Sequence, residues 1–485
     1  MTLSVKHVWL ALLVMAVALI AGGIDFHKSL YSYNDYRYLE IVLLASLPII
    51  ILFSRISVPD SRFVFFALVI FFGFGLFSAL FSAYQIKSLT GYWLIINLVI
   101  AVVCFYRVNL SAFSIAAIAS LIISCVLVYI CVYYLDFVLD IIENKTTIKR
   151  NSMFHGFDNP RFLNHIQTLC IPLMIIAVKF ISDNRTLSIS FKKFIKTVFY
   201  FSTASYIALI FLTAGRGSIV SSLLAIFILW LILGKSFTYT GKQICLLWLT
   251  GLLIYFLQVT LYQSIVNVDS PAIAHDIQKF SGSGRVELWS VAIEQIRLNP
   301  VIGIGPLMFG NSAQAFLNSP HNSVLWLAAE WGLIASMSIL SLLAYLLILF
   351  INRLRQATTY QNYDSKDPTL TLVIGQTLGL CLIGGSIHSL VSGIYIVPSS
   401  QLAALLVLIL ALSSYQNLAN EMKLAAPISL QVNPGIKIFA TLLLLLLLIP
   451  VYQYHKASEW GKYDMEDIHS EGDIIAPAYW LQGDR

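Results

Sequence analysis

Long apolar segments recur along almost the whole chain. They lie near residues 8–24, 38–54, 63–83, 91–106, 111–136, 165–182, 197–214, 218–234, 243–264, 325–351, 369–391, 400–416 and 436–453. A helix needs roughly 20 mostly apolar residues to cross about 30 Å of hydrocarbon. Because a backbone in lipid must satisfy its own hydrogen bonds, runs of this length indicate helices. The sequence therefore predicts an all-α polytopic membrane protein with about 12–13 transmembrane helices.

The composition agrees with a chain that is mostly surrounded by lipid. Of 485 residues, 58% are hydrophobic and 11% are charged, and the mean hydropathy is +0.82. Soluble domains carry about 25% charged residues. The net charge of +6 is typical of basic loops beside anionic head groups, so nucleic-acid binding is not predicted. The six cysteines form no metal-binding or disulfide pattern and are predicted to be buried apolar residues.

The basic residues of the short connections indicate the orientation. They fall on alternate connections, at Arg55, Arg62, Arg107, Arg185, Lys192, Lys193, Lys196, Lys235, Lys242, Arg353 and Arg355. Cytoplasmic loops of membrane proteins carry an excess of Lys and Arg. This side is therefore predicted to be cytoplasmic, and the opposite side periplasmic if the protein lies in a bacterial inner membrane.

Two long connections are predicted on the periplasmic side, at 138–164 and 265–324. The predicted organisation is N-terminal transmembrane helices at 1–137, a periplasmic loop at 138–164, central transmembrane helices at 165–264, a large periplasmic loop with an amphipathic helix at 265–324, C-terminal transmembrane helices at 325–453 and a short polar tail at 454–485. The long loops are rich in Asn, Asp, His, Pro, Gly and Arg. We expect chemistry there, because loops held by a rigid scaffold often carry function.

Arg216 lies between Gly215 and Gly217 in a tight turn on the periplasmic side. Flanking glycines let a backbone approach a ligand closely. An arginine at the end of a span usually has a partner, because an unpaired charge near hydrocarbon is costly. Arg216 is therefore a candidate for binding an anion, or else a turn arginine that contacts phospholipid head groups.

Arg285 opens a predicted amphipathic helix that ends at Asn299-Pro300. Apolar residues at 286, 289, 293 and 296 have helical spacing. A cation opposes the helix dipole at this position, so helix stability does not explain it. An arginine beside free N–H groups can instead bind a phosphate. The alternative is an interfacial helix with a solvated arginine.

His321 lies where the large loop re-enters the membrane. A histidine that is neutral near pH 7 can accept a proton from a sugar hydroxyl, although many single histidines are only structural. Gly303-Ile304-Gly305 precedes it, and a single GxG is weak evidence for phosphate binding. Two ionisable residues inside the predicted spans, Glu330 and His388, are either functional or cross-link helices.

The combination of motifs resembles the superfamily of O-antigen ligases, O-antigen polymerases and O-oligosaccharyltransferases. The resemblance rests on the GRGS turn at 215–218, the Gly284-Arg285 helix and the PHNSVLWLAAEWGL segment at 320–333, within about residues 150–335. No GxSxG, HExxH, P-loop or paired-carboxylate motif competes with this interpretation.

The resemblance implies a GT-C-like, inverting and metal-independent glycosyltransferase of the bacterial inner membrane that needs no cofactor. Its donor would be a glycan linked to undecaprenyl pyrophosphate, and its acceptor a sugar hydroxyl of lipid A-core. By the same resemblance, Arg216 and Arg285 contact the donor pyrophosphate and His321 activates the acceptor hydroxyl. Arg161, in the FDNPRF stretch of the first loop, is added to the donor pyrophosphate site.

Three alternatives remain at this point. A repeat polymerase or an O-linked protein oligosaccharyltransferase would share the same donor and the same residues, and the short tail after residue 454 favours the ligase. A transporter of lipid-linked saccharides would belong to a different class. Transporters are commonly built from paired repeats with Gly- or Pro-broken helices at matching positions in the two halves, and the sequence shows no such pair.

Overall fold

The structure is a computed structural model in which nearly all regular secondary structure is helical. It describes residues 4–24, 32–143, 154–266, 284–311, 319–360, 367–424 and 429–453. The predicted tail at 454–485 lies outside the described residues, as do the middle of the 138–164 loop and parts of the 265–324 loop.

Eight helices are described up to residue 183. They are α1 (Val5–Ala21), α2 (Ser32–Ala45), α3 (Leu47–Phe53), α4 (Arg62–Leu80), α5 (Gln85–Phe105), α6 (Ala112–Ile142), α7 (Pro160–Cys170) and α8 (Leu173–Asp183). In two places one apolar stretch is interrupted and forms two helices, α2 with α3 and α7 with α8. Pro48 and Pro172 lie at these divisions, because proline lacks the amide hydrogen that a continuous helix would use.

Eight further helices are described after residue 183. They are α9 (Ile189–Leu212), α10 (Arg216–Leu233), α11 (Thr238–Val266), α12 (Arg285–Leu298), α13 (Ser323–Tyr360), α14 (Leu370–Ser389), α15 (Pro398–Glu421) and α16 (Pro434–Leu446). A short 3-10 helix, Gly234–Phe237, joins α10 to α11. Two three-residue strands, β1 (Ser57–Pro59) and β2 (Ser429–Gln431), pair in antiparallel register between helices.

The chain is an all-α polytopic membrane protein, as the sequence predicts. Among the described residues, 11 helical stretches are long and apolar enough to cross a membrane. One of them, Arg216–Ile265, contains both α10 and α11, and the shorter α1 is a further apolar helix of 17 residues. Counting α10 and α11 separately and adding α1 brings the number of spans into the predicted range of 12–13.

The two ends of the bundle differ in charge. We call the end where α9 meets α10 the Arg216 end, and the end where α8 meets α9 the Lys196 end. Helices of alternating direction place most of the basic connections at the Lys196 end. There, Lys6 Nζ donates to the carbonyls of Arg55 at 2.8 Å and Cys104 at 2.7 Å, joining α1, α3 and α5.

The stretch that comprises α7 and α8 runs through the centre of the bundle. Within the most apolar 18 residues of Pro160–Asp183, 89% are buried. The corresponding shares are 33% in Arg62–Leu80 and 17% in Pro434–Gln453. The peripheral helices therefore expose apolar faces, as expected where the solvent is lipid. The central helix α7 begins at the Arg216 end and places Arg161 there.

An interruption in α13 shapes the loop that follows α12. Gly332 has φ 77° and ψ 165°, so the backbone hydrogen bonds of α13 are broken at this point. The loop fills the gap: Leu333 N donates to Pro300 O at 2.8 Å, and Gly305 N donates to Glu330 O at 2.9 Å. A Cβ on Gly303 would lie only 2.4 Å from the Glu330 carbonyl oxygen. Gly303 is therefore explained by close packing against the broken helix, whereas a Cβ on Gly305 would meet the side chains of Ser82 and Ser88.

The predicted amphipathic helix exists as α12, and its apolar residues do not all lie on the packed face. Leu288 and Ala292 are buried against α13, whereas Val286 is 69% exposed and Ile293 is 57% exposed. In a membrane protein an exposed apolar side chain can meet lipid without cost, so hydropathy alone does not identify the packed face.

The prediction that all six cysteines are buried is wrong. Cys104, Cys170 and Cys381 are buried, whereas Cys131 and Cys245 are exposed. The cause is the same, because an apolar run in lipid has an outer face as well as a packed one.

Candidate functional site

The turn before Arg216 is held by the central helix α7. Ala214 adopts φ 51°, a left-handed conformation that is uncommon for a residue with a Cβ. Thr213 Oγ1 donates to Asn164 Oδ1 at 3.0 Å. A Cβ on Gly215 would lie 2.5 Å from the Asn164 side-chain nitrogen, so only glycine fits at this close approach. The turn delivers Arg216, which is exposed, as the first residue of α10.

Arg161 lies against the same turn. Its Nη1 donates to the carbonyl of Thr213 at 3.1 Å and to that of Ala214 at 2.8 Å. Asn159 caps α7 by accepting from Arg161 N at 2.9 Å, which fixes the start of the helix. Arg161 therefore positions the turn that carries Arg216, in addition to bringing a second positive charge to it.

Arg285 begins α12, and its side chain is partly buried. The preceding Gly284 has φ 64° and provides no side-chain cap. The first N–H groups of a helix lack intrahelical partners and attract anions. The Trp289 indole donates to the carbonyl of Pro320 at 2.9 Å, which ties α12 to the segment that carries His321.

His321 is also held in a left-handed conformation, with φ 51°. Its backbone N–H donates to Ser319 Oγ at 3.1 Å. Asn322 Oδ1 caps α13 by accepting from the amides of Val324 and Leu325, each at 3.0 Å. Strained backbone of this kind persists only where the surroundings enforce it, and it is frequent at functional sites.

The charges of these residues act on one another. Burial lowers the pKa of His321 to about 4, with further contributions from the positive charges of Arg285 and Arg161. Burial also lowers the pKa of Arg285, and the charge of Arg216 adds to this effect. The structure thus brings Arg161, Arg216, Arg285 and His321 within electrostatic reach at one end of the bundle. At neutral pH His321 is uncharged, and the arginines form a positive site suited to an anion.

A buried polar network lies beneath this site. His388 Nδ1 is 2.9 Å from Thr168 Oγ1, which is 3.0 Å from Ser218 Oγ on α10. His165 Nε2 is 2.6 Å from Ser392 Oγ, and the His165 and His388 rings are 5.2 Å apart. The network connects α7, α10 and α14 directly below Arg216.

Sequence reasoning named His388 but missed the small hydroxyl residues that join it to α10. The available signal was the close sequence spacing of Ser218 to Arg216 and of Thr168 to His165. Serine and threonine hydroxyls are common in membrane helices, so this signal is weak.

Glu330 supports the loop after α12. Its carboxylate accepts from the backbone N–H of Leu307 at 2.7 Å and of Phe309 at 3.0 Å. The side chain is buried inside the bundle. Of the two interpretations left open by the sequence, these contacts favour the structural one for Glu330.

Within the described ranges, no group of three His, Cys, Asp or Glu side chains is arranged to hold a metal ion. At the Arg216 end, arginine side chains and the N–H groups that open α12 contribute positive charge.

These features define an all-α polytopic membrane protein with a cation-rich site at one end of its helices. Residues 201–340 match the O-antigen ligase family, a stretch that includes Arg216, Arg285 and His321. The match confirms the resemblance to the O-antigen ligase and polymerase superfamily, whose members are glycosyltransferase-like enzymes. No curated protein matches the chain.

Proposed function

We propose that this protein is an O-antigen ligase that transfers a glycan from undecaprenyl pyrophosphate to a sugar hydroxyl of lipid A-core. The observation that carries the proposal is the convergence of Arg216, Arg285 and His321 at one end of the bundle, where burial and then the charges of Arg285 and Arg161 lower the pKa of His321. The family match over residues 201–340 supports the same reaction class.

The arginines would bind the donor and stabilise its leaving group. When the glycosidic bond to phosphate breaks, the pyrophosphate takes up the bonding electron pair and its negative charge increases. Guanidinium groups that already surround it stabilise this charge without rearranging. Arg285 and Arg216 supply such groups, and Arg161 holds the turn of Arg216 in place. No metal ion is needed in this scheme.

His321 would accept the proton of the acceptor hydroxyl. The oxygen then attacks the anomeric carbon from the face opposite the departing pyrophosphate, so the configuration inverts. The depressed pKa of about 4 keeps the imidazole neutral in the free protein. A bound pyrophosphate would offset the charges of Arg285 and Arg161. The pKa of His321 would then rise toward the working pH, where a general base is most effective.

The basic connections support the orientation. They cluster at the Lys196 end, which we assign to the cytoplasm by the positive-inside rule. The Arg216 end would then face the periplasm of a bacterial inner membrane, the side from which a lipid A-core acceptor could be reached.

A reconstituted assay tests the proposal. Purified protein is mixed in detergent micelles with lipid-linked glycan and lipid A-core, and glycosylated lipid A-core is measured. Product formed in micelles, where no barrier separates two compartments, rules out pure transport. Arg285→Ala is expected to lower the rate about 100–1000-fold. The matched control is Arg297→Ala on the same helix, because the Arg297 side chain is 80% exposed.

The acceptor distinguishes the ligase, the polymerase and the protein oligosaccharyltransferase, which share the same lipid-linked donor. In the same assay, lipid A-core is replaced by a second lipid-linked repeat unit or by a pilin-like protein. A ligase glycosylates only lipid A-core. Elongated lipid-linked glycan would identify a polymerase, and glycosylated protein would identify an oligosaccharyltransferase.

A further inference from the structure

A cavity of about 540 Å³ lies at the Lys196 end, far along the bundle from Arg216. It is formed by α8, α9 and α11 together with the residue Asp367 before α14. Its charged and aromatic lining residues are Lys179, Asp183, Lys196, Tyr200, Tyr239 and Asp367. A volume of this size can hold a small ligand or a lipid head group. The reaction proposed for the Arg216 end does not involve it.

The cavity contains charges of both signs. The ammonium group of Lys179, whose side chain is only 4% exposed, contacts Asp183 at 2.9 Å and Asp367 at 2.6 Å. Two carboxylates around one ammonium leave an excess negative charge. Lys196 contributes a positive charge to the same cavity. The two lysines and two carboxylates sum to zero charge, and Lys196 is not within ion-pair distance of either carboxylate.

Several polar side chains in the cavity have no protein partner. Lys196, Tyr200, Tyr239 and Gln243 make no side-chain hydrogen bond or ion pair within the part of the chain that the structure describes. Each is partly buried. Their polar atoms are not fully enclosed by protein, so they can take partners from outside the chain. A ligand with hydrogen-bonding oxygens would supply them.

One wall of the cavity continues into an apolar stripe. Leu246 lines the cavity and is 54% exposed. Leu249 and Leu253 follow it on α11 and are 66% and 58% exposed. The spacing of three and four residues places them on one face of the helix. The stripe runs from the cavity along α11 toward the middle of the span, the path that an acyl chain would take.

We infer that the cavity binds a phospholipid whose head group carries both a phosphate and a primary ammonium, as phosphatidylethanolamine does. The phosphate would meet Lys196 and the tyrosine hydroxyls, the ammonium would donate to Asp183 and Asp367, and an acyl chain would lie on the Leu246 stripe. A purely anionic head group would approach two carboxylates. A choline head group could not donate hydrogen bonds to them.

Lipid binding to the purified full chain tests the inference. Native mass spectrometry of protein in detergent is titrated with phosphatidylethanolamine, phosphatidylcholine or phosphatidylglycerol of the same acyl composition. Phosphatidylethanolamine is expected to bind most tightly. Soluble glycerophosphoethanolamine, which has the same head group without acyl chains, is expected not to displace it. Equal binding of all three lipids, or displacement by the soluble head group, would overturn the inference.

Two variants test whether the lipid binds in this cavity. Lys196→Ala should weaken phosphatidylethanolamine binding by about tenfold, the factor that corresponds to 1.4 kcal/mol. Lys193→Ala is the matched control, because Lys193 is exposed on the same helix and does not line the cavity. Identical binding in the two variants contradicts the proposed site.

Asp183→Asn provides a second, independent test. It removes one carboxylate but leaves Asp367 to pair with Lys179, so the fold should be retained. The group around Lys179 then loses its excess negative charge, and phosphatidylglycerol should bind as well as phosphatidylethanolamine or better. An unchanged order of lipid preference would overturn the assignment of the ammonium to the carboxylates.

Discussion

Replacing Arg285 by glutamine is expected to change both the rate of glycan transfer and its pH dependence. Arg285 is the first residue of α12, and its charge is one of the causes that lower the pKa of His321. Glutamine keeps a polar side chain at the helix start but removes that charge. The rate should fall about 100–1000-fold, because one group that stabilises the leaving pyrophosphate is lost.

The shift in pH dependence follows from the causes of the depressed pKa. The pKa of His321 is about 4 instead of the usual 6.5. Burial is the largest cause of this lowering, followed by the charge of Arg285 and then that of Arg161. Removing Arg285 should therefore raise the pKa of His321 by less than half of this interval. The neutral imidazole is the active form, so activity is present above the pKa and lost as the pH falls through it. The decline on the acid side should begin at a higher pH in Arg285→Gln.

The assay measures kcat/KM for transfer in micelles from about pH 8 down to about pH 4.5. This ratio is chosen because its pH dependence reports ionisations of the free enzyme. Wild-type kcat/KM should stay nearly flat over most of this range, whereas that of Arg285→Gln should decline earlier. Arg297→Gln, at the exposed end of the same helix, should resemble the wild type. Full activity in Arg285→Gln, or an acid limb at the wild-type position, would refute the assigned coupling between Arg285 and His321.

Three further outcomes are expected. His321→Ala should abolish transfer while undecaprenyl pyrophosphate still binds; loss of binding would show that His321 is not the acceptor-side base. Gly215→Ala should lower transfer at least tenfold, because its Cβ would lie 2.5 Å from a side-chain amide of α7, whereas Gly73→Ala, with nothing within 4 Å of its Cβ, should leave it unchanged. Glu330→Ala should lower the thermal unfolding temperature, since two backbone N–H groups lose their acceptor at about 1–3 kcal/mol each. An equal effect from the exposed Glu294→Ala would contradict that explanation.

The helical framework could be predicted because hydrophobicity and helix length are properties of the local sequence. The interruptions could be predicted less well. Pro172 divides the central stretch into α7 and α8, and Gly332 breaks α13, yet both lie within continuous apolar runs. The break at Gly332 depends on the loop that packs into it, which no local pattern reveals.

The candidate site could be predicted in part. Arg216, Arg285 and His321 stand out because charged or titratable residues beside glycine or proline are unusual at the ends of apolar runs. Their proximity, and the contact of Arg161 with the turn before Arg216, depend on tertiary packing. The packed face of α12 does not follow from the position of its apolar residues, because lipid, unlike water, does not force apolar side chains inward.

The most direct test of the account is whether Arg216 and Arg285 bind the same pyrophosphate. The affinity for undecaprenyl pyrophosphate is measured in micelles for the wild type, Arg216→Ala, Arg285→Ala and the double variant. The account predicts that each single variant binds more weakly and that the double variant loses less affinity than the two separate losses combined, because groups that share one ligand are coupled. Additive losses, or unchanged affinity in either single variant, would contradict it.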